Sequence, residues 1–246
     1  MVLEPEAVTR DDVYMLNYTS GTTGDSKGVK VTQWSILSSS ILFMDEYNWT
    51  ENDVAIDYLP APHVFDQFMF IAVILAGACQ GYYQGDPIKL MEDCSVLQPT
   101  IFPSVPRLYN KIYAKINGSF AAVTGCKKWL VNKGLASKSY YLTETPTASY
   151  TSGCYDSLVF KKVKQILGGN VRMMVTASAP ISKDVLELLK ICFACPVYEA
   201  YGLSETSGPV TVTKADDPIS GTIGGPMKHC AIRLKNLPEM EYMITD

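Results

Sequence analysis

The chain has 246 residues, 47% of them apolar, and a formal net charge of −4 from 21 basic and 25 acidic side chains. At roughly 100–200 residues per domain this is one large domain or two small ones, with apolar residues enough for a core, and wholesale disorder is excluded. Mild acidity with no evident basic stripe argues against a nucleic-acid partner; the densest basic cluster, Lys161, Lys162 and Lys164, reads as a solvated helix face.

Met1 to Asp12 is polar and acidic, unlike a secretory leader. Val13 to Tyr18 reads as a strand, Thr19 to Gly28 as a loop of small and hydroxyl residues, and Val29 to Thr32 as a second strand. From Trp34 to Tyr47 the apolar residues at 34, 37, 41 and 44 mark one face of a helix. Asp53 to Leu59 is a strand that stops at Pro60-Ala-Pro62, because proline removes ladder donors. Phe65 to Ala78 is apolar on all sides and predicts an enclosed helix. The longest apolar run, Phe68 to Cys79, has twelve residues, whereas a bilayer span needs about 20.

Asp86 to Leu97 is an amphipathic helix, Thr100 to Pro103 a short strand and Pro106 to Ile116 another helix. Residues 117–155 are the least regular, with one helix-like stretch over Ala121 to Ala136 and a surface loop over Thr143 to Gly153. Asp156 to Leu167 is helical and stops at Gly168-Gly169. Val171 to Thr176 is a strand, Ser182 caps a helix through Ile191, and Pro196 to Glu199 is a strand feeding a second Gly/Ser/Thr loop. Short strands and turns follow Gly208. Alternating strands and helices predict an α/β fold, a parallel sheet flanked by helices.

Seven scattered cysteines suit free thiols of a reducing compartment. Cys192 and Cys195 form a lone Cys-x-x-Cys, and with only His63 and His229 in the chain the four ligands of structural zinc are wanting. Both cysteines are expected to pack at a helix end.

The loop Thr19-Ser-Gly-Thr-Thr-Gly-Asp-Ser-Lys-Gly28 combines three glycines, hydroxyl donors and one lysine. Glycines let backbone N–H groups turn inward around an anion, so the composition suits a polyphosphate. A flexible turn has the same composition. The spacing Gly21-x-x-Gly24-x-x-Lys27-Gly28 is neither the Walker loop nor the dinucleotide fingerprint, which counts against a generic phosphotransferase.

As a whole, Tyr18 to Gly28 resembles the phosphate loop of the AMP-forming acyl- and aryl-adenylating enzymes. Tyr198-Glu-Ala-Tyr-Gly-Leu-Ser-Glu-Thr-Ser207 resembles a second signature of that family, Thr176-Ala-Ser-Ala-Pro180 a third and Leu59-Pro-Ala-Pro-His-Val-Phe65 a fourth. Tyr83 to Asp86, Gln98 to Tyr109, Leu158 to Gly169, Gly221 to Pro226 and Leu237 to Tyr242 narrow the likeness to the eukaryotic long-chain fatty acyl-CoA synthetases, in the same order along the chain.

The resemblance implies that Thr19, Ser20, Gly21, Thr22, Thr23, Gly24 and Lys27 hold ATP phosphates. It implies that Ser178, Ala179, Pro180, Glu199, Ala200, Tyr201 and Gly202 form the adenine site, with Tyr201 on the ring. Thr206 would meet the α-phosphate, Glu205 would hold Mg²⁺, and His63 would lie near the reacting carboxylate. The reaction implied is activation of a long-chain fatty acid by ATP, then transfer to coenzyme A. An apolar tunnel is expected along the helix Phe65 to Ala78 and the strand Thr100 to Phe102. Residues 1–246 are expected to be an AMP-binding domain incomplete at both ends, without the C-terminal lid. The setting implied is intracellular, at an endoplasmic reticulum or peroxisomal membrane, with any membrane contact made by other regions. An enzyme that hands the fatty acid to a carrier protein, and a non-catalytic nucleotide- or lipid-binding remnant, remain open alternatives.

Overall fold

A computed structural model of the chain describes residues 7–19, 26–145, 148–217 and 219–244. Strands β1 (Val13–Thr19) and β2 (Lys27–Thr32) pair antiparallel as a hairpin of their own, with Thr19 opposite Lys27 at the end nearest their connection. Helix α1 (Gln33–Glu46) begins where the Thr32 hydroxyl accepts from Ser35 N and the Ser35 hydroxyl accepts from Thr32 N. This reciprocal cap satisfies two donors that the helix start would leave open.

The main sheet contains β3 (Val54–Asp57), β4 (Cys79–Tyr82), β5 (Ile101–Ser104), β6 (Met173–Thr176), β7 (Val197–Leu203), β8 (Gly208–Val212) and β9 (Gly225–Pro226). Their order is β4-β3-β5-β6-β7-β8-β9, parallel from β4 through β7 and antiparallel from β7 to β9. Every residue of β5 and β6 is buried, which is why both read as near-continuous apolar runs.

Alternate residues serve the two faces. Ile101, Met173, Val175 and Tyr198 pack with α1 and α2 (Val64–Ala76). Phe102, Met174 and Val197 meet the opposite layer: α3 (Leu90–Leu97), α4 (Pro106–Ala121), α5 (Gly125–Thr143), a helical stretch over 153–167 and α6 (Lys183–Phe193). The stretch includes a π-helical turn, Asp156–Phe160, and ends at Gly168. Cys192 and Cys195 are buried free thiols at the end of α6, as expected, and the Ser182 hydroxyl caps its start.

At the N-terminal ends of the parallel strands, Arg172 holds Asp53 with two hydrogen bonds of 2.6 Å. The Thr100 hydroxyl and the Thr50 N–H add bonds of 2.7 and 2.9 Å to the same carboxylate. Burial would raise the Asp53 carboxyl, but these donors hold it below the ordinary carboxylate range. The knot ties together the chain entering β3, β5 and β6.

Several expectations are corrected. Helix α2 is not enclosed: Ile74 and Leu75 are exposed at 59% and 37%. The edge strand β4 escaped the reading because the apolar run of α2 continues into it and the strand itself is Cys-Gln-Gly-Tyr. Helix α3 starts at Leu90, since Asp86 and Pro87 form a turn in which the Asp86 carboxylate accepts from Ile88 N. The irregular region is largely regular, with α4 running to Ala121 and α5 from Gly125 to Thr143. Its period was hidden because the buried positions of α5, Val131, Gly134, Lys138 and Leu142, include a glycine and a lysine. Among the described residues no helix is long and apolar enough to cross a membrane.

Candidate functional site

The C-terminal ends of β6 and β7 open into a cleft, the usual place for a ligand in a parallel sheet. Beyond β6 the chain turns through Ser178, whose φ of 76° is left-handed for a residue with a side chain. Such strain persists only where surroundings impose it and is frequent at ligand sites. Ser178, Ala179 and Pro180 form one wall of the cleft; Glu199, Ala200, Tyr201, Gly202 and Leu203 form the other, with Ile223 beside them. The open volume is about 700 Å³. Seven residues expected at an adenine site therefore share one cleft. Tyr201 is exposed there, its ring free to cover a flat ligand.

The backbone around the cleft depends on glycine. A Cβ on Gly202 would lie 2.2 Å from the Gly208 carbonyl oxygen, so β7 and β8 approach this closely only without it. A Cβ on Gly208 would lie 2.3 Å from the Ser39 hydroxyl of α1.

The turn Ser204–Thr206 follows directly and packs beside β2, whose first residue is Lys27. The Ser207 hydroxyl donates to the Ser35 hydroxyl at 2.9 Å, fastening this turn to the capped start of α1. The turn thus lies against the strand that Lys27 begins. Lys27 and Glu205 are both exposed and Thr19 is half-buried. Ser20, Gly21, Thr22, Thr23 and Gly24 lie outside the described residues.

Thr206 is engaged within its own turn. Its hydroxyl accepts from Leu203 N and lies 2.9 and 2.8 Å from the carbonyl oxygens of Leu203 and Gly208. It closes its own turn. The Ser204 hydroxyl makes no hydrogen bond among the described residues, and sequence reading passed over it. His63 is the N-cap residue of α2, exposed, with no capping bond from its side chain, and it lines neither this cleft nor the cavity beside it.

That neighbouring cavity, about 420 Å³, is apolar. Phe43, Val64, Phe65 and Phe68 wall it from the α1–α2 side, and Val175, Ala177 and Pro209 from the sheet side. It shares Ser178, Ala200, Gly202 and Leu203 with the cleft. Helix α2 supplies a wall as expected, whereas Ile101 and Phe102 are sealed in the sheet and supply none.

Among the described residues Thr176 Oγ1, Thr211 Oγ1 and Glu199 Oε2, at this end of the sheet, have no hydrogen-bond partner. Burial pushes the Glu199 carboxyl up, and the Lys190 ammonium pulls it partly back. Lys190, itself lowered by burial, donates to Ser220 Oγ at 3.1 Å. Asp66, in the first turn of α2, is pushed up to about 7 by burial, with Asp57 at the end of β3 adding to the rise. Among the described residues no group of three or more His, Cys, Asp or Glu side chains could hold a metal ion. A cation bound chiefly by phosphate oxygens needs only one or two carboxylates.

A family model described as AMP-binding enzyme matches residues 2–246. The chain is similar to long chain acyl-CoA synthetase 7, peroxisomal, of Arabidopsis thaliana, at 40% identity over 96% of this chain and 33% of that protein. It is also similar to long-chain-fatty-acid–CoA ligase 1 of Homo sapiens, at 37% identity over 99% of this chain and 35% of that protein. The chain spans about a third of the length of these curated relatives. Among solved structures, the O-succinylbenzoate coenzyme A synthetase of Bacillus subtilis in complex with AMP matches with a TM-score of 0.63 at 19% identity, covering 97% of this chain and 39% of that one. The inhibitor-bound N-terminal domain of FACL13 from Mycobacterium tuberculosis matches with a TM-score of 0.63 at 19% identity, covering 92% of this chain and 46% of that one.

Proposed function

This chain belongs to the AMP-binding enzyme family, and from that premise we propose that its cleft serves the activation of a long-chain fatty acid by ATP and its transfer to coenzyme A. The fatty carboxylate attacks the α-phosphorus of ATP and pyrophosphate leaves; the thiol of coenzyme A then displaces AMP and leaves the thioester. Neither step calls for a protein nucleophile. The demand is electrostatic, because charge gathers on phosphate oxygens and fixed donors stabilise it.

In this reading the adenine ring lies between Tyr201 and the Ser178–Pro180 wall. Lys27 and the Ser204 hydroxyl face the phosphates, and Thr206 fixes the turn that presents Glu205. Mg²⁺ held by Glu205 and phosphate oxygens would supply charge neutralisation. The observation that carries the reading is the wall shared by the apolar cavity and the cleft at the ends of β6 and β7. An acyl chain in the former brings its carboxylate to a nucleotide in the latter, and each buried CH₂ adds about 0.8 kcal/mol to its binding. The curated relatives support the long-chain acid as substrate and coenzyme A as acceptor. An endoplasmic reticulum or peroxisomal setting is the expectation that accompanies them.

The test is palmitate-dependent ATP–pyrophosphate exchange in the full-length protein. Lys27→Ala and Glu205→Ala should each lower exchange by about tenfold or more, with unchanged melting, because each removes a group aimed at charge developing on phosphate. Wild-type exchange in both variants would remove these roles. Exchange that leads to no product with coenzyme A would favour a carrier-protein acceptor.

A further inference from the structure

The net charge of the chain conceals a sharp partition. No Asp or Glu occurs between Asp93 and Glu144, and Pro106–Thr143 carries seven basic residues. The remainder of the chain therefore carries −11. The structure makes these 38 residues into α4 and α5, in the outer layer away from α1 and α2. Lys138 is buried against Asp156 and leaves six cations for the surface.

Arg107, Lys111 and Lys115 recur every fourth residue and are all exposed, so they stand in one row on α4. Lys127, Lys128 and Lys133 are exposed on the first half of α5. None of the six makes an ion pair among the described residues. The nearest acidic pair on a neighbouring helix, Asp184 and Glu187 of α6, lines the groove between α4, α5 and α6, and Glu187 is bridged to Lys183.

Large apolar side chains are interleaved with these cations. Trp129 is 62% exposed and Tyr140 55%, on the same face of α5 as Lys133. Gly125, Cys126 and Leu130 join Trp129 around a shallow apolar hollow at the head of that helix. Amphipathic aromatic rings among lysines are the combination that suits a bilayer interface, where rings sit at headgroup level and ammonium groups meet anionic lipid.

We propose that the exposed surface of α4 and α5 is a docking face for an anionic lipid bilayer, with Trp129 as its apolar anchor. This face is separate from the cleft and does not depend on the reaction there. The row of Arg107, Lys111 and Lys115 is a basic stripe that the sequence reading did not find.

The test is co-sedimentation of the chain with phosphatidylcholine vesicles with or without about 30 mol% phosphatidylserine. The chain should bind only the anionic vesicles. Binding should vanish when NaCl rises from about 0.1 to about 1 M, which shortens the screening length from about 10 to about 3 Å. The triple variant Lys127→Gln, Lys128→Gln, Lys133→Gln should bind about a hundredfold more weakly. Trp129→Ser should bind several-fold more weakly and lose the blue shift of tryptophan emission. All replaced side chains are exposed, so unchanged circular dichroism and melting should accompany both variants. Equal binding to both vesicle types, wild-type binding by the triple variant, no sedimentation at all, or preference for single-stranded nucleic acid over the vesicles would each overturn the proposal.

Discussion

The two ends of the parallel sheet carry their polar groups differently. At the N-terminal end the Asp53 carboxylate is saturated by Arg172, Thr100 and Thr50. At the C-terminal end Thr176, Glu199 and Thr211 carry buried polar atoms without partners among the described residues, Ser178 sits in a left-handed conformation, and burial beside Asp57 raises the Asp66 carboxyl. Strain is not confined to that end, since Asn48, Gln98 and Ala194 are also left-handed near the strand starts. What separates the ends is the saturated ion pair that joins the strand starts and the cleft that opens where β6 and β7 finish.

The contrast is broken most severely at the satisfied end. Asp53→Ala strands Arg172 and Thr100 and should cost about 2–4 kcal/mol in chemical denaturation, while the fraction still folded binds ATP like wild type. A parallel loss of ATP affinity would mean that the ends are not separable. Gly202→Ala should show the reverse emphasis. Forcing β7 from β8 costs about 1–3 kcal/mol, yet ATP affinity, measured by titration calorimetry, should fall by more than that loss explains.

Asp66 sharpens the comparison through pH. Its carboxyl titrates at the ordinary 3.8 when unfolded and at about 7 when folded. Between those values the folded state binds more protons than the unfolded state, so this group makes stability fall as pH rises. Asp66→Asn should remove that fall, giving a flatter pH profile of denaturation midpoints, and an unaltered pH profile would refute the burial argument. The smallest effect is expected at Ser178→Gly. Relief of the left-handed conformation is offset by greater freedom of the unfolded chain, leaving a gain of about 0.5 kcal/mol at most.

Much of the fold could be read before any coordinates. The prolines after β3, the Ser182 cap and Gly168 each act within a few residues, and each appears where local chemistry puts it; helix α1 also forms, but it buries Ile36, Ser39, Ser40 and Phe43 instead of the face through 34, 37, 41 and 44. Reading failed where burial was decided by partners distant in sequence. Lys138 is buried because Asp156 faces it, and β4 is a strand because β3 offers it an edge. At the site, the small residues of 178–180 and 199–202 were legible as a group, but Thr206 was not legible as a turn-closing residue. Its hydroxyl partners depend on how closely β7 and β8 approach at Gly202 and Gly208.

By itself the sequence determined the alternation of strands and helices, the caps and stops that bound them, and the residues able to meet a phosphate or an adenine ring. These follow from side-chain shape, hydrogen-bonding capacity and local backbone preference, which any short segment carries with it. Only the tertiary structure decided that the apolar cavity and the cleft share one wall, and that the acid-free segment becomes an exposed cationic layer. Both depend on which surfaces the sheet covers and which it leaves to solvent, and no segment carries that information alone.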